Sequence, residues 1–384
     1  MRFEFATATR IIVGAGVVRE IGSLAADIGK RALVLTGRSS DRSATLFELL
    51  GHAGIETTRV SVSGEPTTGL VRAATQRARD FGAEFVISFG GGSVLDTGKA
   101  VAALLTNGGE PLDYLEVVGR GQPVTQRAAA HIAIPTTAGT GAEVTRNAVL
   151  KSPEHHVKVS LRSPLILPTV ALVDPVLTYT MPPAVTASTG LDAFTQVIEC
   201  FVSKRANPLT DAICREGIAR AARSLQDAYE RGDDAAARED MAIASLFGGL
   251  ALANSKLGAV HGFAGPLGGM FPAPHGAVCG RLLPFVIEAN VRALMERDSE
   301  SQALRRYDEI GRIVTGSPDA TSADGVRWVH ELCEGLAVPA LAAYGITEGD
   351  FPAVTEASAR SSSMKGNPIV LTDVELRGIL RQAL

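Results

Sequence analysis

Three side chains that metals bind stand out in the second half of the sequence. Asp192 lies in the segment GLDA at 190–193, and His261 and His275 follow in surroundings rich in glycine and proline. A carboxylate oxygen and two imidazole nitrogens form a ligand set that Zn²⁺ and Fe²⁺ accept, and they leave a coordination position open for water or substrate. We therefore predict a divalent metal site, with Asp192, His261 and His275 as catalytic residues.

Two further polar side chains follow Asp192 at helical spacing. Gln196 comes one turn later, on the same face of a helix, where a fourth ligand would stand. Its amide oxygen is a weak ligand, so we include Gln196 in the predicted metal set and leave the number of ligands open. Glu199 lies on the same face again. The sequence does not decide whether Glu199 supports the site or is merely solvated, and we assign it no role.

Two glycine-rich segments in the first half are typical of phosphate binding. GGGSVLDTGKA at 90–100 follows an apolar strand pattern and opens a helix. Its glycines let backbone N–H groups approach a pyrophosphate, and a helix N-terminus attracts the anion. PTTAGTGAEVT at 135–145 follows another apolar run. Loops of this kind emerge together at the carboxyl edge of a parallel sheet, where ligands bind. We predict a dinucleotide there, with a plain strand-to-helix turn as the alternative for 90–100.

Two other segments are interpreted as plain turns. The glycines at 14 and 16 resemble a dinucleotide fingerprint, but the third glycine is missing. His155 and His156 lie among polar residues, which favours a solvated loop over a site.

The periodicity of apolar residues predicts the fold. The first half alternates helices and short apolar strands, which indicates a parallel sheet with helices on both faces. After about residue 175 only helical patterns recur, so the second domain is predicted to be all-helical. The predicted helices cover 17–28, 46–53, 71–81, 187–202, 209–229, 235–253 and 280–294, and the predicted strands cover 32–35, 58–62, 85–89, 131–134 and 170–173. We expect two domains, 1–178 and 179–384.

Composition bears on the class of partner. The net charge is −4 and there is no run of Lys or Arg, so nucleic acid is not expected as a partner. The long apolar stretch 241–253 is shorter than the roughly 20 residues that cross a bilayer. Charges near the N-terminus and four scattered cysteines without a CxxC pair favour a reducing cytoplasm over export.

The order and spacing of these motifs resemble one known family. Over nearly its whole length the chain is similar to the iron-containing (group III) alcohol dehydrogenases of the dehydroquinate-synthase-like superfamily. The motifs that carry the resemblance are GGGSVLDTGKA, PTTAGTGAEVT, LPTVALVDP at 167–175, GLDA and the two histidine segments. The resemblance implies an NAD(P)-binding α/β domain, a helical domain and a cleft holding NAD(P) and a divalent metal, Fe²⁺ or Zn²⁺. It implies hydride transfer between NAD(P) and an alcohol or carbonyl substrate, with the metal acting on the substrate oxygen.

The resemblance also assigns residues motif by motif. His261, His275 and Asp192 match three of the four family metal ligands, and Gln196 stands where the family has a histidine. Lys158 matches a lysine that reaches the nicotinamide side. The remaining expected cofactor residues are Gly37 after a strand, Gly91, Gly92, Ser93 and Asp96 in the first loop, and Thr136, Thr137 and Thr140 in the second.

Two departures from the family pattern change the expected chemistry. Gly265 stands where a second histidine of an H-x-x-x-H pair is common, so protons must leave by another route, such as water or a ribose hydroxyl. The missing side chain also widens the expected pocket toward bulkier or more polar substrates than ethanol. Gly37, followed by Arg38, stands where many members have an acidic residue. The carboxylate that repels a 2′-phosphate is thus absent, and NADP(H) becomes acceptable beside NAD(H).

Two alternative functions stay open at this point. A metal-independent reductase of the maleylacetate reductase type would explain the missing histidines, and a chelator would distinguish it. A non-redox cyclase or lyase resembling dehydroquinate synthase would give no net NAD(P)H. The substrate itself cannot be assigned from the sequence, and a homodimer or higher homo-oligomer is expected from the resemblance.

Overall fold

The computed structural model describes residues 2–38, 41–155 and 157–384, which form two compact units. The α/β unit comprises the described residues of 6–137 and 141–178. The helical unit comprises residues 2–5, 138–140 and 179–384. Residues 138–140, in the middle of the PTTAGTG segment, therefore pack with the helical unit.

The α/β unit is built on a six-stranded sheet in which every pair of neighbours is parallel, in the order β1-β8-β5-β4-β2-β3. A separate antiparallel hairpin pairs β6 with β7. The strands are β1 (Arg10–Val13), β2 (Arg31–Thr36), β3 (Glu56–Ser61), β4 (Phe85–Gly90), β5 (His131–Pro135), β6 (Asn147–Ser152), β7 (Val157–Arg162) and β8 (Val170–Val173).

Both faces of the main sheet are covered by helices. Alternate residues of β2 belong to different cores: Leu33 and Leu35 pack in one buried cluster, and Ala32 and Val34 in the other. Because successive side chains of a strand point to opposite faces, this division shows that both faces are buried. The predicted α/β architecture is confirmed.

Five helices belong to the α/β unit: α1 (Ile21–Ala26), α2 (Ala44–His52), α3 (Thr68–Phe81), α4 (Gly92–Asn107) and the short α5 (Pro111–Tyr114). α1 and α2 pack on one face of the sheet, and α3 and α4 on the other. α3 shows the usual signals for helix ends, since the Thr67 hydroxyl accepts a hydrogen bond from the Leu70 N–H and Gly82 ends the helix with a φ of 68°.

The helical unit contains nine helices in its described residues and no strand there, as predicted. They are α6 (Pro183–Val202), α7 (Pro208–Glu230), α8 (Ala235–Asn254), α9 (Ala259–Met270), α10 (His275–Arg297), α11 (Gln302–Thr315), α12 (Ser322–Gly335), α13 (Phe351–Arg360) and α14 (Asp373–Ala383). α6 packs against α7, α8 and α10. Residues 190–202 of α6 are buried without interruption, so the polar side chains in that stretch are held inside the unit.

The structure differs from the sequence prediction in several elements. β1, the β6–β7 hairpin and the helices α5, α9 and α11–α14 were not predicted. The helix predicted over 17–28 is a 3-10 turn, Val17–Glu20, followed by α1. The segment around Gly14 and Gly16 is a turn, as interpreted, and the Asp174 carboxylate accepts from the Gly16 N–H at 3.0 Å.

The structure describes one of the two histidines that were interpreted as part of a polar turn. His155 closes a 3-10 turn, and its Nδ1 lies 2.8 Å from the Ser152 hydroxyl. His156 lies outside the described residues.

No single helix among the described residues is long and apolar enough to span a membrane. The pair α8 and α9 meets the length and hydropathy requirements together, but the two are bent by 97°. The stretch interpreted as a buried helix, 241–253, lies in α8, and most of its residues are buried.

Candidate active site

The predicted metal-binding side chains come together in the helical unit, and a cysteine joins them. Asp192 on α6, His261 on α9, and His275 and Cys279 on α10 each offer a ligand atom, and these atoms all lie within 4.8 Å of one another. Asp192 Oδ1 lies 3.1 Å from His261 Nε2 and 3.8 Å from His275 Nε2. Cys279 Sγ lies 3.9 Å from His261 Nε2. A carboxylate, two imidazoles and a thiol with this spacing suit a divalent transition metal.

Close packing of two helices produces this convergence. A Cβ at Gly276 would lie 2.0 Å from the Ser188 carbonyl oxygen, and one at Gly280 would lie 2.5 Å from Leu191 Cδ1. These two glycines, four residues apart on α10, therefore let α10 approach α6 far more closely than larger residues would. His275 precedes Gly276 and Cys279 precedes Gly280, so these two side chains are also four residues apart on α10. The close approach of α10 to α6 places them beside Asp192.

Glu199 holds His261 and the beginning of α9 at once. Its carboxylate accepts from the Gly258 N–H at 2.9 Å and from the Val260 N–H at 2.6 Å, two groups that a helix N-terminus leaves unpaired. Its Oε2 also lies 2.7 Å from His261 Nδ1. A histidine that donates its Nδ1–H to a carboxylate presents Nε2 as a lone-pair donor, which is the usual arrangement of a metal-binding histidine. Glu199 was left unassigned by the sequence, and it is part of the site.

The predicted weak ligand Gln196 is buried in a different contact. Gln196 is among the groups that lower the pKa of the Asp192 carboxyl, after His261 and His275. Gln196 Oε1 is buried with no hydrogen-bond partner among the described residues. It lies against α8, where a Cβ at Gly248 would be 2.6 Å away. The amide oxygen is thus directed at α8 rather than at the cluster.

The groups of the cluster alter one another's protonation. Burial opposes ionisation of Asp192, but the hydrogen bond from His261 and the histidine charges lower the pKa of its carboxyl. Burial opposes protonation of His261, but Cys279 and Asp192 raise its pKa well above the ordinary value. Burial raises the pKa of the Cys200 thiol to about 12, whereas at Cys279 His261 and His275 outweigh burial and lower the thiol pKa. The cluster therefore favours ionised acidic groups.

The first cofactor loop lies at the start of α4. Gly91 is the N-cap, and having no side chain it leaves the first N–H groups of the helix without a side-chain acceptor. Gly92 and Ser93 begin the helix. The second loop is adjacent, since the Thr136 N–H donates to the Gly90 carbonyl at 3.0 Å and a Cβ at Gly91 would lie 3.3 Å from the Thr137 hydroxyl. These predicted residues lie at the carboxyl ends of β4 and β5, as a pyrophosphate site requires.

The remaining predicted cofactor residues contact other parts of the α/β unit, including Gly37, whose carbonyl accepts from the Ser61 hydroxyl at 3.3 Å. Asp96 pairs with Lys99 on the same helix at 2.8 Å, and its other oxygen accepts from the Val149 N–H at 3.0 Å, which ties α4 to β6. Lys158, on β7, pairs with Glu65 at 2.6 Å. Gly37 follows β2, and a Cβ there would meet nothing within 4 Å.

Thr140 belongs by its contacts to the helical unit. A Cβ at the preceding Gly139 would lie 2.7 Å from Thr189 Cβ on α6, so this part of the loop packs closely on the helix that carries Asp192.

Comparisons with known proteins decide the family. The iron-containing alcohol dehydrogenase family matches residues 8–175, and the C-terminal domain of the Fe-containing alcohol dehydrogenase family matches residues 186–384. The chain belongs to the iron-containing alcohol dehydrogenase family. Alcohol dehydrogenase 4 of Saccharomyces cerevisiae is 36% identical over 83% of this chain and 80% of its own length. The NAD-dependent methanol dehydrogenase of Bacillus methanolicus is 31% identical over 97% of both chains.

A solved structure agrees with this result. A crystal structure of 1,3-propanediol oxidoreductase superposes with a TM-score of 0.93 at 30% identity and covers 100% of both chains. The sequence-based identification of the family is confirmed. The chain is an NAD(P)-dependent oxidoreductase of the alcohol dehydrogenase or aldehyde reductase type, in a family that uses iron or another divalent metal. These relatives do not favour the metal-independent reductase or the cyclase.

Two residues of the site were missed for different reasons. Glu199 has the right spacing from Asp192, but its partners on α9 come from a helix that the sequence did not predict. Cys279 was interpreted as one of four scattered buried thiols, and all four are indeed buried and free. Its spacing of four residues from His275 is the signal that could have identified it.

Proposed function

We propose that Asp192, His261 and His275 hold the divalent cation with which this chain oxidises a small alcohol or reduces the corresponding carbonyl compound. The observation that carries the proposal is the convergence of three ligand atoms from α6, α9 and α10, with His261 oriented by the buried carboxylate of Glu199. A site built only for packing would not need a carboxylate to fix the tautomer of a histidine that already faces another carboxylate.

Each residue has a distinct part in this mechanism. A divalent cation supplies Lewis-acid polarisation of the substrate oxygen, and a nicotinamide supplies the hydride acceptor. Asp192 contributes negative charge that offsets the charge of the cation, and it is buried. His261 presents Nε2 because Glu199 engages Nδ1. The His275 side chain is 47% exposed, so substrate approaches the cluster from this side.

The dinucleotide is proposed to bind at the start of α4. Gly91, Gly92 and Ser93 offer backbone N–H groups at the N-terminus of a 16-residue helix, which supplies positive partial charge to the pyrophosphate. Thr136 and Thr137 supply hydroxyls beside it, and Thr140 is proposed as a further cofactor residue. Asp96 contributes indirectly, because its oxygens are engaged in holding α4. Lys158, which pairs with Glu65 at 2.6 Å, is proposed to contact the nicotinamide side when the cofactor binds.

Both NAD(H) and NADP(H) are proposed as cofactors. Gly37 removes the carboxylate that would repel a 2′-phosphate at the end of β2. Arg38 is exposed, and Arg59 lies on the adjacent strand with its Nε donating to the Thr36 hydroxyl at 3.0 Å. These two guanidinium groups favour an anion at this edge of the sheet.

The substrate is proposed to be bulkier or more polar than ethanol. Gly265 lies on α9, one turn after His261, and a Cβ there would meet nothing within 4 Å, so the absent side chain leaves open space. An alcohol panel tests this point directly. Activity restricted to methanol, ethanol and propanol would contradict it, whereas turnover of diols or longer alcohols that falls in Gly265→His would support it.

The chain is further proposed to act in the cytoplasm as a homodimer or higher homo-oligomer. All four cysteines are free, as in proteins of a reducing compartment. Light scattering coupled to size-exclusion chromatography measures the assembly, and a monomer at micromolar concentration would contradict the oligomer.

The experiment that tests the function is NAD(P)H formation with a panel of alcohols, before and after removal of metal by a chelator. We expect net NADH or NADPH production that disappears on chelation and returns with Zn²⁺ or Fe²⁺. Full activity after chelation would overturn the metal-dependent mechanism in favour of the metal-independent reductase. Binding of NAD⁺ without net reduction by any alcohol or carbonyl compound would point to the non-redox enzyme.

A further inference from the structure

The sequence leaves the identity of the fourth metal ligand undecided, because Gln196 stands where the family has a histidine. Two side chains compete for this position in the structure. Gln196 lies one turn after Asp192 on α6, and Cys279 lies one turn after His275 on α10. Both are buried, and Cys279 belongs to the hydrophobic core of the helical unit while its Sγ lies 3.9 Å from His261 Nε2.

The orientation of Gln196 argues against metal binding. An amide binds a cation through its oxygen. The Gln196 oxygen is turned toward α8 and packs against Gly248. Rotation of the amide by 180° would bring its oxygen against the carboxylate oxygens of Asp192, where two acceptors repel each other. Gln196 therefore lies beside Asp192 on α6 with its oxygen directed at α8 rather than at the cluster.

The geometry of Cys279 fits the fourth position. Its Sγ lies 3.9 Å from His261 Nε2, and it falls within the 4.8 Å limit that unites all four ligand atoms. Tetrahedral zinc with bonds of about 2.0 Å to N and O and about 2.3 Å to S separates its ligand atoms by roughly 3.3–3.6 Å. The observed separations of 3.1, 3.8 and 3.9 Å lie just below and just above that range. Small side-chain adjustments would bring the four atoms onto one ion.

We propose that Cys279 is the fourth protein ligand of the metal, in a set Asp192, His261, His275 and Cys279 that selects Zn²⁺ over Fe²⁺. A thiolate is a softer donor than the histidine it replaces, and with imidazole it favours zinc. Zinc also accepts a fifth ligand during catalysis, so four protein ligands still admit a substrate oxygen. On binding the ion, the thiol loses its proton to the buffer. This inference rests on the proposed function of the site.

Cobalt(II) tests the inference without relying on activity. Metal-free protein is loaded with one equivalent of Co²⁺ under reducing, oxygen-free conditions, and its near-ultraviolet spectrum is recorded. We expect the intense thiolate-to-cobalt charge-transfer absorption in the wild type and its loss in Cys279→Ser. Zinc affinity of Cys279→Ser, measured by competition with a chromophoric chelator, should fall by at least about 10-fold to 100-fold.

Cys333→Ser is the matched control. Cys333 is also on a helix of this unit and buried, and its thiol donates to the Gly280 carbonyl at 3.2 Å, a bond that a serine hydroxyl can replace. This variant should keep the cobalt absorption and the zinc affinity. A wild-type cobalt complex that lacks the charge-transfer band overturns the inference, and that result does not depend on whether Cys279→Ser folds.

The same samples separate this inference from the proposed function. If the wild type oxidises alcohols with bound metal but shows no thiolate-to-cobalt band, Cys279 is not a ligand, and the dehydrogenase function stands. If the band is present but no alcohol or carbonyl compound is turned over, the ligand set stands and the proposed function fails.

Discussion

Glu199 Oε2 lies 2.7 Å from His261 Nδ1, and His261 Nε2 lies 3.1 Å from Asp192 Oδ1, so the two carboxylates engage opposite nitrogens of one imidazole. Glu199 also accepts from two backbone N–H groups at the start of α9. The Glu199 carboxylate therefore links the first turn of α9 to the orientation of the His261 imidazole. This relationship makes the site rigid before any cation binds.

Glu199→Gln should weaken metal binding. The amide keeps the shape of the carboxylate but lowers its capacity to accept from His261 and from the N-terminus of α9. Loss of such a supporting hydrogen bond costs about 10-fold to 100-fold in metal affinity. Competition with a chelator measures the change in zinc affinity. Glu356→Gln, at a side chain that is 69% exposed on α13, should have no effect. Equal zinc affinity in all three proteins would show that Glu199 only caps the helix.

His275→Ala should abolish turnover while leaving the cofactor site intact. Lewis-acid stabilisation is worth several kcal/mol, so loss of a ligand is expected to lower kcat/KM by about 100-fold or more. NADH binding, followed by fluorescence titration, should stay within about two-fold of the wild type, because Gly91, Gly92 and Ser93 belong to the α/β unit and His275 to the helical unit.

A control for His275→Ala is His330→Ala on α12, where the ring lies 3.6 Å from Glu288 and contacts no residue of the cluster. We expect wild-type kcat/KM there. Parallel loss of activity and of NADH binding in His275→Ala would instead assign His275 a role in folding.

Gly98→Ala should destabilise the α/β unit. Gly98 lies on α4, and a Cβ there would be 1.9 Å from the Ser88 hydroxyl and 2.7 Å from His131 Nε2. Overpacking of this kind typically costs about 1–3 kcal/mol. Gly378→Ala on α14 is the matched control, because a Cβ there would meet nothing within 4 Å. In a helix interior this change should stabilise by about 0.5–1 kcal/mol. Urea denaturation measures the free energy of unfolding of both variants. Equal free energies for Gly98→Ala and Gly378→Ala would contradict the close packing described at Gly98.

The free energy of unfolding should decrease as the pH is lowered below the ordinary pKa of histidine. Burial, aided by the charge of Lys99, lowers the pKa of His131 from 6.5 to about 3. Between these values the unfolded chain binds a proton that the folded chain does not. The contribution of His131 is therefore complete above pH 6.5 and is lost as the pH falls toward 3, at up to about 1.4 kcal/mol per pH unit.

Urea denaturation of metal-free protein at pH 5, 6 and 7 measures this effect, with His131→Gln as the comparison. The variant is expected to be less stable at pH 7, because it disturbs the contact of His131 Nε2 with the Ser88 hydroxyl at 2.9 Å. It should nevertheless lose less stability between pH 7 and pH 5 than the wild type. Identical pH slopes would show that His131 does not titrate in this way.

The sequence predicted five of the six strands of the main sheet, all except β1, because short strand-like runs alternate there with amphipathic helices. It missed the β6–β7 hairpin, although Val157, Val159 and Leu161 of β7 alternate with polar residues, which is the pattern of a half-buried strand. It also missed α9. Gly262, Gly265 and Pro266 argue against a helix locally, and tertiary packing overrides that preference: a Cβ at Gly262 would lie 2.8 Å from Met364 Cε.

The site was predicted in part for the same reasons. Asp192, His261 and His275 were recognisable from residue type and family motif. Glu199 and Cys279 were not, because helical spacing alone places them on the right faces of α6 and α10 but does not show which residues of the neighbouring helices they contact. The close approach of α10 depends on Gly276 and Gly280, which in the sequence are simply two glycines of a helix.

Metal reconstitution tests the central claim most directly. Protein purified without chelator or affinity metal is stripped, its residual metal is measured by plasma mass spectrometry, and Zn²⁺ or Fe²⁺ is added back in steps while NAD(P)H formation from an alcohol is followed. We predict that activity rises in proportion to bound metal and saturates at about one ion per chain. Full alcohol oxidation by protein that contains no metal would contradict the claim.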